Sequence, residues 1–244
     1  MDSDYDLKDI LIISEHRSLL SEPARPILAY EQFVRAIFFD ETTGLEFLLS
    51  EIDHREVASH YREYQFWIWQ DLAGWAMQGI SSEQLIKGLE KLTWRGDYEI
   101  GWGTETDLNG EFLKGLSSLH FDFFGPHAKS ARSATSPDEL SIHCWMYWDG
   151  ATVTSNRKEV GMFRNAVIAE IWVLALESGV DALQECALHG IGHAIFCARR
   201  VDNDPHNELV VKLRAAVQNF IQKNRLKKPD MTKYAREALR GSVL

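Results

Sequence analysis

Four side chains able to ligate a metal fall at helical spacing in one short stretch. They are Cys186, His189, His193 and Cys197, in the run ALQECALHGIGHAIFC from 182 to 197. On a helix, His189 and His193 project from one face, within reach of a single ion. Cys186 lies one turn before the pair and Cys197 one turn after it. The four occupy about 80° of arc but span about 16 Å of axis, so one ion takes three at most. His189, His193 and Cys186 are therefore the candidate metal set and zinc the candidate cofactor, with Cys144, His143 or His206 available to complete it. The spacing is that of zinc proteases, but Gly190 stands where their general-base glutamate follows the first histidine, which removes that chemistry. The competing reading needs no cofactor: the histidines are hydrogen-bonded packing residues and the cysteines small hydrophobes.

Two other groupings could carry function. In an extended segment His120 and Asp122 of LHFDFF would face one side and make an acid–base pair, but no nucleophile or phosphate loop stands near them. Gly101-Trp102-Gly103 lacks the third glycine and the preceding strand of a dinucleotide fingerprint. Phe66, Trp67, Trp69 and Trp75 spiral round more than one face of a helix. Trp69, beside Gln70 and Asp71, reads as partly exposed. With Glu63 and Asp71 it forms the candidate partner-binding patch, since exposed aromatics flanked by charge suit protein recognition.

Helices position all of these. Apolar spacings of three and four predict helices over 29–39, 43–52, 53–77 (ended by Gly79), 160–176, 181–197, 206–222 and 232–239. Ser81 and Gln84 make a capping box before the stripe Leu85, Ile86, Leu89 and Leu92. Ser136 and Pro137, with Glu139 three residues after the serine, predict the start of another helix, nearly apolar all round and so placed between others. Gly179 ends the helix before Asp181, and Asn203-Asp204-Pro205 reads as a turn. Residues 95–135, dense in glycine and ending in a polar run, read as a loop-rich segment and a sub-boundary, with a short helix starting near Asn109; Val153 could sit in a short strand. Gly190 and Gly192 each cost a helix roughly 1 kcal/mol relative to Ala, so close backbone-to-backbone packing is expected to offset them. The fold class is all-α, a single domain over 1–244 of stacked helical pairs.

Composition bounds the function. The chain has 36 acids, 26 bases and a net charge of −10. From Lys212 onward the segment is +7, so the remainder is −17. An acidic body repels nucleic acid and anionic membranes and suits a basic partner, and the basic tail is expected to fold against it or to line a solvated face. Three cysteines without a framework point to reduced thiols in the cytoplasm. The acidic N-terminus does not read as a signal peptide, and the run from Ala166 to Leu176, broken by Glu170, is too short for a membrane span.

The string Ala187-Leu188-His189-Gly190-Ile191-Gly192-His193 resembles the Ala-Leu-x-x-Leu-Gly stretch on the buried helix of HEAT-like repeats. It is also similar to an Ala-Leu-His-Gly-Leu-Gly-His run in uncharacterised bacterial proteins. The resemblance covers roughly residues 160–222, and regular copies are lacking in the first half. It implies a HEAT-like C-terminal half and protein–protein interaction, and it names no catalytic residue. Charge and resemblance together give the leading functional reading: a non-catalytic interaction module, of the bacterial immunity or scaffold type, for a basic protein. The alternative is a metal-binding protein or metal-dependent hydrolase using His189 and His193.

Overall fold

The computed structural model describes residues 34, 37, 38, 64–73, 80–94, 114–150, 158–200 and 207–243. Within these, the helices are α1 (64–73), α2 (Ser82–Trp94), α3 (114–127), α4 (Glu139–Gly150), α5 (Lys158–Glu177), α6 (Asp181–Arg200), α7 (Glu208–Asn224) and α8 (Pro229–Arg240). No strand occurs among the described residues. The helix expected over 43–52, the strand at Val153, the glycines 101 and 103, Glu63, Trp75, the turn 203–205 and His206 lie outside them. No described helix is long and apolar enough to cross a membrane.

Helix α6 is the centre. It packs on α4, α5 and α8 and also touches α7 and α3, while α7 lies against α5 and α8, and α2 against α4. All residues from Ala182 to Gly192 are buried, so this part of the helix is covered on every side. Burying a Leu- or Ile-sized side chain contributes roughly 1.5–3 kcal/mol, and Leu183, Leu188, Ile191 and Ile195 are all 0–1% exposed. The polar residues inside are held by named bonds. Gln184 Nε2 donates to Leu176 O (3.0 Å), and its Oε1 accepts from Lys228 Nζ (2.7 Å).

The two glycines of α6 do admit close neighbours, but those neighbours are side chains. A methyl at Gly190 would lie 2.5–2.7 Å from the Trp172 indole of α5, and one at Gly192 would lie 2.4–2.5 Å from the Val243 methyls beyond α8. The expected backbone-to-backbone contact is thus corrected. An indole seated on the bare helix gives more contact area than a second backbone would.

Local signals decide several boundaries. Ser81 N–H donates to Gln84 Oε1 (3.0 Å) and Gln84 N–H to Ser81 Oγ (3.2 Å), closing the expected capping box. Gly179, at φ +78°, ends α5 before Asp181 opens α6. The cap of α4 differs from expectation: Asp138, not Ser136, accepts from Ser141 N–H (2.8 Å). A carboxylate accepts a backbone N–H more strongly than a hydroxyl does. The loop-rich reading of 95–135 is also corrected in part, because 114–127 is helical. Its middle, Ser118–Phe124, is a π-helix, with Gly125 N–H bonded to His120 O five residues back. Leu116, Leu119, Phe123 and Phe124 anchor it in the core, and that burial overrides the glycine density around it.

The basic segment folds back on the acidic body at two points. Lys212 of α7 pairs with Glu170 of α5, and Lys228 pairs with Asp181 at the start of α6.

Candidate functional site

Helix α6 presents three of its polar residues, Glu185, His189 and His193, at spacings of four, so they form one stripe along the axis. The stripe meets α8 at Tyr234, α4 at Trp145 and the turn just after α3 at residues 130–132. Glu185 is 3% exposed and accepts from Ser130 Oγ (2.5 Å), Ala131 N–H (2.8 Å) and Arg132 N–H (3.3 Å). Burial pushes its carboxyl above the ordinary value, while those bonds and the Arg132 charge pull the other way. Arg132, so placed, lays its guanidinium 3.8 Å from the centre of the Tyr234 ring and 5.8 Å from that of Trp145, and reaches Glu237 at 3.8 Å.

Tyr234 of α8 connects the cluster to the histidines. Its Oη accepts from Trp145 Nε1 (3.0 Å) and lies 2.9 Å from His189 Nδ1. His189 Nε2 in turn lies 3.2 Å from His193 Nε2, with the rings edge-to-face at 4.7 Å. One set of neutral tautomers satisfies these contacts. The phenol proton goes to His189 Nδ1, the His189 proton sits on Nε2 and is donated to His193, and the His193 proton sits on Nδ1. Burial raises the Tyr234 phenol well above its usual range, so it stays a donor. His189 is 2% exposed and His193 is half-buried, so the chain of bonds runs from the core toward the surface.

Cys186 belongs to a different cluster. Its Sγ accepts from Trp148 Nε1 (3.1 Å), and Cys144 and His120 lie beside it. Burial alone would raise the Cys186 thiol. The hydrogen bond from Cys144, the imidazole of His120 and the Trp148 N–H together bring it below the ordinary thiol value, while Cys144 is pushed above that value, chiefly by burial. The structure therefore brings His189 and His193 together and places Cys186 with other partners. No group of three or more His, Cys, Asp or Glu side chains able to hold a metal occurs among the described residues. Cys197 is half-buried one turn beyond His193. His143 is buried, with Phe124 and Tyr147 as its ring neighbours, and burial lowers its pKa to about 4.

Two other expected groupings are corrected. His120 and Asp122 do not pair: His120 Nδ1 donates to Leu116 O (2.9 Å) and its ring stacks on Trp148 at 5.2 Å, while Asp122 accepts from Ser118 Oγ (2.9 Å). The segment is helical, and residues two apart on a helix point to different sides. Trp69 is not partly exposed. It is 4% exposed and packs on Phe66 at 5.6 Å, so it is core. Of the expected partner patch, Asp71 is half-exposed and Glu63 lies outside the described residues.

Glu185, Arg132, Trp145 and Tyr234 were missed in the sequence. The available signal was Glu185, four residues before His189 on the same stripe. No family model, no curated protein and no solved structure matches the chain.

Proposed function

We propose that the chain is a protein-binding module without catalytic activity that recognises a basic partner, as an immunity-type or scaffold protein does. The observation that carries this reading is the division of charge. A body of −17 already accepts its own +7 segment through the pairs Lys212–Glu170 and Lys228–Asp181. A surface that pairs with lysines of its own chain has the field to attract those of another. Exposed acids remain on several helices, among them Glu90 of α2, Glu139 of α4, Glu177 of α5 and Glu208 of α7. The described imidazoles, thiols and buried carboxylate are engaged in structural contacts in and around the core, which fits a module whose work lies at its surface. Successive helices joined by short turns, α5 to α6 and α7 to α8, support the HEAT-like reading of the C-terminal half as two stacked pairs.

The test is calorimetric titration of the chain with a basic protein recovered on it from its own cells, at 50 and 300 mM salt. The expected result is a complex weakened at least tenfold by the added salt, and weakened again when Asp71→Lys and Glu90→Lys reverse charge on α1 and α2. Absence of a complex, or an affinity indifferent to salt, overturns the proposal.

A further inference from the structure

We propose that the face formed by the turn between α7 and α8 and by the outer side of α8 docks on an anionic lipid surface, with Leu226 entering the hydrocarbon and the cations around it meeting the headgroups. The proposal goes beyond the partner-binding reading and does not rest on it. It starts from the cations that the acidic body leaves over. Lys212 and Lys228 are paired. Lys223, Arg225, Lys227, Lys233, Arg236 and Arg240 are exposed, and none of them pairs with a carboxylate among the described residues. Lys233, Arg236 and Arg240 stand at spacings of three and four, within about 60° of arc and about 10 Å of axis. They lie on the side of α8 away from the buried Tyr234, Ala235 and Ala238. The exposed Arg199 donates from Nη1 to Arg240 O (3.2 Å), which brings another cation to the end of this helix.

The apolar residues decide what the cations meet. Leu226 is 93% exposed and stands between Arg225 and Lys227. Its exposure is built into the turn. Lys227 N–H (3.1 Å) and Lys228 N–H (2.9 Å) both donate to Asn224 O, and Lys228 Nζ reaches Asp181, Gln184 Oε1 and Gly179 O, which pins the turn to the start of α6. Phe196, 47% exposed, stands at the other end of α8, where a Cβ on Gly241 would lie 3.1 Å from its backbone. Large exposed hydrophobics thus flank the cationic helix at both ends. An aliphatic tip held in water between cations is matched where hydrocarbon lies beneath negative charge, at the boundary of an anionic bilayer. Duplex nucleic acid offers the charge without the hydrocarbon. Salt at physiological strength limits the reach of a charge to about 8 Å, so this local face, rather than the net charge of −10, governs the encounter.

The test is co-sedimentation of the purified full chain with vesicles of phosphatidylcholine containing about 30% phosphatidylserine, against vesicles of phosphatidylcholine alone, at about 100 and 500 mM salt. Binding to the anionic vesicles is expected at the lower salt, with little at the higher salt and little to the neutral vesicles. Arg236→Glu and Lys227→Glu should each weaken it at least about fivefold, and Leu226→Ser about tenfold. Lys87→Glu, the same change of charge on the exposed side of α2, should leave it within about twofold. All four positions are exposed, so the core is spared, and far-UV circular dichroism of each variant checks the fold. Absence of sedimentation with anionic vesicles overturns the proposal, and so does a folded protein carrying both Leu226→Ser and Arg236→Glu that binds them as the parent does. Retention of duplex DNA without vesicle binding overturns it in favour of nucleic acid. A dimer seen by light scattering and dispersed by Arg236→Glu, again without vesicle binding, overturns it in favour of a second copy of the chain. The partner titration uses charge reversals on α1 and α2, so failure of either assay leaves the other reading standing.

Discussion

Gly190→Ala sets helix propensity against packing at a single atom. Alanine in a helix interior is favoured over glycine by about 1 kcal/mol, so propensity alone predicts stabilisation. The new methyl would fall 2.5–2.7 Å from three atoms of the Trp172 indole, where ordinary contacts are about 3.5–4.0 Å. The indole must therefore retreat by about 1 Å. Trp172 is 2% exposed and packs edge-to-face on Trp148 at 5.1 Å, so there is no room behind it. Overpacking of this kind costs typically 1–3 kcal/mol, and a rigid buried indole belongs at the top of that range. The net effect expected is a loss of about 2 kcal/mol, or about 4–8 °C in Tm for a chain of this size. Gly192→Ala meets the Val243 side chain at 2.4–3.0 Å, and Val243 is itself 3% exposed, so this variant too should lose stability, by about 1–3 kcal/mol less the helix-propensity gain. Urea unfolding followed by tryptophan fluorescence measures both. A Gly190→Ala protein as stable as the parent, or more stable, would refute the account of α6 packing.

Three further outcomes are expected. His143 has a folded pKa of about 4 against 6.5 ordinarily, so its contribution is intact above pH 6.5 and is lost as pH falls toward 4. A shift of this size corresponds to about 3 kcal/mol, and urea midpoints of His143→Phe across that window should be flatter than the parent's by that order; identical slopes would remove the argument. Glu185→Ala strips the acceptor from Ser130, Ala131 and Arg132 and should cost about 2–4 kcal/mol in chemical denaturation, while a change under about 0.5 kcal/mol would mean that water replaces the carboxylate. The Glu185 carboxyl acts opposite to His143: its raised folded pKa means that the parent gains stability as pH falls from that raised value toward 4.5, a gain absent in the variant. Asp138→Ala should cost about 1 kcal/mol and Ser136→Ala nearly nothing, a contrast that thermal melts of the two variants read directly.

Features written within a few residues of themselves were legible. The Ser81–Gln84 box, the stop at Gly179 and the helical spacing of α6 depend on neighbours along the chain, and the structure shows each. Features that depend on a distant partner were not. Nothing near Gly190 announces Trp172, eighteen positions earlier on another helix, as the side chain that fills its gap. Trp69 looked exposed beside Gln70 and Asp71 because local polarity does not reveal which face a neighbouring helix covers. Glu185 was passed over because carboxylates default to solvent, and only the fold brings a turn with two backbone N–H groups to it. The convergence of His189 and His193 was readable from their spacing, whereas the separation of Cys186 from them was set by Trp148 across the α4–α6 contact.

The π-helical stretch in α3 stores information in its length. Bonds that skip five residues accommodate one more residue than an ordinary turn would carry, so the segment behaves as an α-helix with an insertion. Deleting one residue between Ser118 and Phe124 would let the segment relax to regular geometry, and the part of the helix upstream would turn by about 100° relative to the part downstream. A different side chain would then face Trp148, and the thiol cluster would lose its imidazole although every residue that builds it remained encoded. The register of this helix, more than its composition, is what seats His120 beside Cys186.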